Sequence, residues 1–229
     1  MSTPVGDRRI PLNVGPGTWD LIWSHVHRVL VANLGLAVSS LPLLLALSVE
    51  PRPWRHPFFF TLLSLGVGPS LAAVFAYFRL TVEDERAPVA ELFRCYRRLF
   101  RPALLAWSPF VLLTAVALTD VAFLRTTAPG PVLVPLLAVV VLIAVSSGIV
   151  AMAALPDGRR TVRHTLLAAS YASVRRWPLA LVNLGLLGAA LVLVNQAPLI
   201  GLAVVPGCAL FVVWHNCRAM SAPARPDPL

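Results

Sequence analysis

The side chains with the most chemical reach are three cysteines, Cys95, Cys208 and Cys217, and two histidines, His25 and His27. The cysteines make no metal-knuckle or paired-thiol spacing, so reduced thiols are expected. Two apart on a helix, His25 and His27 point to different sides, which argues against joint metal ligation. All 19 basic residues are arginine, and without lysine neither a Walker-type phosphate loop nor a Schiff base is available. HExxH is absent. The residues thus give no convergent nucleophile, base or ligand set, and the expectation is no catalytic residue, no metal site and no cofactor.

A few polar or small residues within apolar surroundings are candidates for ion paths or helix contacts. Asp120 is the only acid contiguous with an apolar run, and it falls five residues before Arg125. It could bind a cation or proton, but at a span end a solvated or paired loop acid is the simpler reading. Asn33 and Asn183 read as hydrogen-bonding groups between helices rather than as a substrate path. Gly66, Gly68 and Pro69 permit close packing and a kink, with a gate as the sharper alternative.

The elements that position these residues are set by length. Between Val29 and Cys217 run five long stretches free of charge, in a chain that is 58% hydrophobic and 13% charged with a mean hydropathy of +0.78. A bilayer core takes about 20 apolar residues per helix, and lipid offers the backbone no hydrogen-bond partners. The runs 29–49, 57–78 and 102–119 each fit one crossing. The fourth holds a turn at Pro129, Gly130 and Pro131, so its helix is predicted over 131–155. Asn195, Gln196, Ala197 and Pro198 divide the fifth into 178–194 and 199–217, both near the short end of the spanning range. The fold expected is an all-α polytopic bundle of about six spans, with five or a re-entrant pair as the alternative. It forms one membrane domain over 19–217, between cytoplasmic segments 1–18 and 218–229.

Arginine placement sets the orientation. Sixteen of the 19 arginines fall in the N-terminal segment, the second and fourth loops and the tail, against Arg52, Arg55 and Arg125 on the other face. Cytoplasmic segments carry the positive excess, so both termini are predicted in the cytoplasm. The same placement explains the formal charge of +9 without nucleic acid, for which no motif exists.

Two cytoplasmic loops are predicted to hold amphipathic helices. Over 88–101, Val89, Leu92, Phe93, Tyr96, Leu99 and Phe100 recur at helical spacing, with Glu91, Arg94, Arg97, Arg98 and Arg101 on the other side. The acids Glu83, Asp84 and Glu85 precede it, where the helix dipole favours negative charge. Over 161–177, Leu167, Tyr171 and Val174 line one side, with Arg163, Arg175 and Arg176 elsewhere. Two readings stand: an interfacial elbow with arginines at the lipid headgroups, or a docking surface for a cytoplasmic partner, whose contacts would be Phe93, Arg94, Tyr96, Arg97, Arg98, Phe100 and Arg101.

The segments VLVANLGLAVSSLP, VGPSLAAVFAYFRL and APVAELFRCYRRLFRPALLAW, in that order and spacing, resemble the successive signatures of the YesL-like family of bacterial membrane proteins, a family of unknown function. The resemblance covers roughly 19–108, and the second half only by hydropathy. Trp54, Arg55 and the Pro-rich loop lengthen the first hairpin relative to the family's compact form. The resemblance implies an accessory role beside carbohydrate uptake systems of the ATP-driven (ABC) type, and supplies no catalytic residue. The expected function is therefore a non-enzymatic membrane protein that assists or regulates a sugar transporter. An independent small-solute transporter is the main alternative and a membrane-embedded enzyme the third; the residues do not specify substrate or oligomeric state.

Overall fold

Each charge-free run folds as helix, the backbone solution that satisfies its own polar groups. The computed structural model describes residues 16–221, apart from 51, 53–54, 84–87, 159–160 and 197, with the backbone course alone at 16–25, 28, 83, 198–204 and 221. The segment before Pro16, Trp54, the acids Asp84 and Glu85, Arg159, Arg160, Ala197 and the tail after Ser221 lie outside the described residues, as do the expectations placed on them.

Among the described residues nine α-helices follow in order: α1 Pro16–Ser39, α2 Leu41–Val49, α3 Pro57–Leu65, α4 Val67–Glu83, α5 Val89–Leu124, α6 Gly130–Ala154, α7 Val162–Arg175, α8 Trp177–Gln196 and α9 Pro198–Ser221. No strand occurs among the described residues. By length and composition four stretches can cross a membrane: Pro57–Val82, Val89–Leu124, Gly130–Asp157 and Trp177–Gln196. A fifth is added if the bent pair Val29–Ser39 and Leu41–Val49 counts as one, so the count is four or five against the six expected.

One expectation needs correction. The first run is not one straight span: it bends by 60° between α1 and α2, and α1 begins at Pro16 rather than near 29. Pro42, in the first turn of α2, has no N–H to continue the ladder to Val38, and its ring disfavours a straight passage. The helix over 88–101 is the N-terminal part of a longer one. It continues without a break into the third span as α5, 36 residues long, with Pro102 and Pro109 inside it. Near Pro109 the Ser108 hydroxyl donates to the Leu105 carbonyl at 3.3 Å, the acceptor that the proline leaves without its usual N–H. Leu92, Cys95, Leu99, Ala103 and Ala106 form a buried stripe that runs past Pro102, and Val111 and Ala117 are buried beyond Pro109.

The remaining boundaries follow the sequence closely. Gly66 alone separates α3 from α4, its backbone stays in the α region, and the two helices together form the stretch Pro57–Val82. One residue, Arg176, forms the corner from α7 to α8. α8 ends at Gln196 and α9 begins at Pro198.

At the centre stands α4. Every residue from Gly68 to Phe78 is buried, enclosed by α1, α5, α6 and α9. Gly68, Ser70, Ala72, Ala73 and Ala76 let the neighbouring backbones close in, while Phe75, Tyr77 and Phe78 fill the spaces between them. The packed core extends toward the arginine-bearing end of the bundle, through Ile149–Leu155 of α6 and Leu210, Val213, Trp214 and Cys217 of α9. Toward the other end, Leu112–Phe123 of α5 and Val132–Ile143 of α6 leave most large side chains exposed.

Candidate functional site

At the arginine-bearing end, the first three turns of α5 carry the predicted contact residues. Phe93 and Phe100 are exposed and, with Arg97, form one stripe at i, i+4, i+7; Arg94, Arg98 and Arg101 form a second beside it. Glu91 pairs with Arg94 across one turn. Only Tyr96 turns partly inward, its ring centroid 5.7 Å from that of Phe100. The side that contacts the protein is Leu92, Cys95 and Leu99, and Leu92 fits against Gly35 of α1. Of the apolar set predicted along one side, Leu92 and Leu99 therefore pack on the protein, and Phe93 and Phe100 face outward. They form an outward aromatic face lined with guanidinium groups.

On α7 the large apolar side chains likewise face outward. Its buried stripe is Thr165, Ala169 and Ser173, and the apolar row Leu167, Tyr171 and Val174 faces outward together with Trp177. Small residues let α7 approach α6 closely, which leaves its large side chains for whatever lies outside. Arg175 stands over the Tyr171 ring at 6.0 Å, and Arg176 donates to the Ala219 carbonyl, tying the corner to α9. Arg79 is similarly structural. It bonds the Asp157 carboxylate and the Pro156 carbonyl, both at 2.9 Å, and staples α4 to the end of α6.

The intramembrane candidates separate into different places. Asn183 is buried and accepts a 2.8 Å hydrogen bond from the Asn216 amide, joining α8 to α9 as its proposed interhelical role requires. Asn33 is also buried, and its Oδ1 would lie 2.8 Å from a Cβ built on Gly207, so that glycine is what lets α9 close on α1. Asp120 is exposed on α5 and forms no ion pair with Arg125. Gly68 faces Trp107.

Trp107 was not singled out by the sequence. Its indole is clamped between Gly68 of α4 and Gly148 of α6: a Cβ built on either would fall 2.5 Å from Trp107 Cβ or 2.7 Å from Cζ3. The Nε1–H donates at 3.0 Å to the Ser64 carbonyl, in the last turn of α3 where carbonyls lack intrahelical partners. The available signal was an indole donor inside an apolar run, which must find an acceptor when buried. Asn216 was likewise missed, although it is an amide inside the last apolar run.

Beyond Trp107 lies a half-open cavity of about 720 Å³ between α3, α5 and α6. Its wall is mostly apolar, including Phe60, Phe110, Val111, Leu118 and Val145, and Arg125 stands among the lining residues at the C-terminal end of α5. The hydroxyls of Thr61, Ser64 and Thr119 spend their hydrogens on their own helices, at Pro57 O, Phe60 O and Ala115 O. The lining contains no carboxylate, imidazole or thiol. The arrangement can hold an apolar molecule, and it lacks the acid–base pair that hydrolysis or transfer chemistry uses. Among the described residues no three His, Cys, Asp or Glu side chains converge as a metal site. Comparison of the chain with family models, curated proteins and solved structures finds no match.

Proposed function

We propose that this is a non-enzymatic multi-pass protein of the bacterial cell membrane, with both termini cytoplasmic, that assists or regulates a carbohydrate ABC transporter through the first turns of α5. The observation that carries the docking surface is the outward row of Phe93, Arg97 and Phe100 beside Arg94, Arg98 and Arg101. Aromatic and arginine side chains concentrate interface energy, and here they project from a helix already anchored by its opposite side. The transporter link rests on the YesL-like resemblance of residues 19–108. Six crossings are reached by adding α9, 24 residues long, to the four straight stretches and the bent α1–α2 pair.

The independent-transporter reading has less support. A path for polar solutes calls for free donors and acceptors, whereas the large cavity is mostly apolar and three of its four lining hydroxyls, all but Thr114, donate to their own helices.

The test is coexpression with the permease and substrate-binding subunits of a carbohydrate transporter encoded beside the chain, followed by copurification in mild detergent. The Phe93→Ala/Tyr96→Ala/Phe100→Ala variant should lose the complex while keeping its folded yield. Solute uptake by the purified chain alone in liposomes would reject the accessory role. Topology is read separately in a cysteine-free background: Thr127→Cys should react with an impermeant thiol reagent from outside, and Arg97→Cys and Thr161→Cys should not.

A further inference from the structure

We propose that the cavity between α3, α5 and α6 is a binding site for an anionic membrane lipid, with an acyl chain along its apolar wall and the phosphate on Arg125. The inference rests on the membrane reading of the chain and is independent of the transporter. Three observations carry it. The first is size: about 720 Å³ lies within the roughly 300–1,000 Å³ of sites that enclose small ligands. The lining also runs along α5 from Trp107 to Arg125, eighteen residues or about 27 Å, which suits a long thin molecule rather than a compact one.

The second is chemistry. Phe60, Phe110, Val111 and Leu118 present hydrocarbon and ring surface, and Thr61, Ser64 and Thr119 offer no free hydroxyl hydrogen because each donates to its own helix backbone. Thr114 is the one lining hydroxyl without such a bond, so a sugar or other polyol entering here would exchange most of its water partners for hydrocarbon, which is costly. An acyl chain loses nothing. The third is charge. Arg125 is exposed and pairs with no carboxylate among the described residues, whereas Arg55, its neighbour in the adjoining outer loop, is within 3.8 Å of Glu50. Asp120 stands off the lining face, so the guanidinium is not neutralised from its own helix. A cation next to an apolar channel, at the end where the helix leaves the membrane, is complementary to a phosphate attached to a hydrocarbon tail.

The experiment uses the full chain purified in mild detergent, titrated with phosphatidylglycerol or phosphatidylcholine of identical acyl chains and read by native mass spectrometry as lipid retained. Wild type should retain phosphatidylglycerol about fivefold better, the attraction of one arginine to an anionic headgroup. Arg125→Gln should abolish that preference and leave phosphatidylcholine retention as it was. Ala115→Trp, which fills the cavity from α5, should reduce retention of both lipids; if it fails to fold, Thr61→Phe fills the cavity from α3. Equal retention of the two lipids by wild type would overturn the proposal. So would a preference surviving in Arg125→Gln, or full retention in a folded cavity-filling variant, which would place the lipid on the outer surface. Displacement of the lipid by glycerol phosphate alone would show an aqueous anion site and overturn it as well.

Discussion

Replacing Gly68 or Gly148 with alanine should destabilise the protein, although alanine is the better helix former. At Gly68 the added methyl carbon would lie 2.5 Å from Trp107 Cβ and 2.7 Å from Cδ1, about 1 Å inside ordinary carbon contact. These atoms are at the root of the side chain, so no rotamer change removes the clash. Nor can the ring retreat, because Gly148 meets it on the far side, 2.7 Å from Cζ3. Either α4 and α5 separate, or the indole turns and gives up its hydrogen bond to Ser64. Overpacking of this kind costs about 1–3 kcal/mol, and loss of the hydrogen bond adds about 1. Alanine returns about 0.5–1 kcal/mol of helix preference, so the net loss is about 1–3 kcal/mol. Gly185 and Gly188 provide the control, since nothing lies within 4 Å of a Cβ at either. The same substitution there should be neutral or stabilising by up to about 1 kcal/mol. Thermal unfolding in mild detergent, followed by tryptophan fluorescence, separates the two pairs. If Gly68→Ala and Gly148→Ala melt with Gly185→Ala, the clamp around Trp107 does not exist. In the double variant Gly68→Ala/Trp107→Ala the losses should be less than additive, because the contacts to Cγ and Cδ1 are then gone and only that to Cβ remains.

Arg79→Gln should cost about 1–2 kcal/mol in the same unfolding assay by releasing Asp157 and Pro156 O, and Asp157→Asn should cost less because its carboxylate is mostly exposed. Asn183→Leu should cost about 1 kcal/mol by leaving the Asn216 amide without its acceptor, and Asn183→Leu/Asn216→Leu should recover part of the loss; equal stability of the single variant and wild type would exclude the bond. Folded yield should fall in the order Leu92→Asp, then Phe93→Asp, then Arg94→Gln, since Leu92 is buried in protein and Phe93 meets whatever covers the outward face. Equal yields for Phe93→Asp and Arg94→Gln would show that Phe93 faces water.

Run length made much of the fold legible. The stretches around 57–78, 131–155 and 178–194 emerge as crossing-length helices near their expected bounds, because twenty apolar residues in lipid have little choice but helix. The break near Ser40 was hidden by the same criterion: a charge-free run scores alike whether straight or bent, although Pro42 was visible within it. Which side of α5 and α7 meets the protein was not legible, for a more general reason. In water the large apolar side chains mark the buried side. In this bundle small residues often mark it, as with Thr165, Ala169 and Ser173 on α7, while Leu167, Tyr171 and Val174 face out. Asn183 was legible as a helix contact because an amide within an apolar run needs a partner. Its partner Asn216, the Trp107 clamp and the cavity depend on which helices become neighbours, and spacing along one chain carries little of that.

The continuity of α5 has a mechanical consequence. Pinned at Trp107 between two glycines, the helix is a beam on a fulcrum, with an arm of about 21 Å to Phe93 and one of about 27 Å to Arg125. A load on the aromatic end that tilts the beam by about ten degrees swings the far end by about 5 Å, enough to widen or close the cavity it lines. Pro102 and Pro109 lie on either side of the fulcrum, so any flexing of the beam is concentrated there and not at its ends.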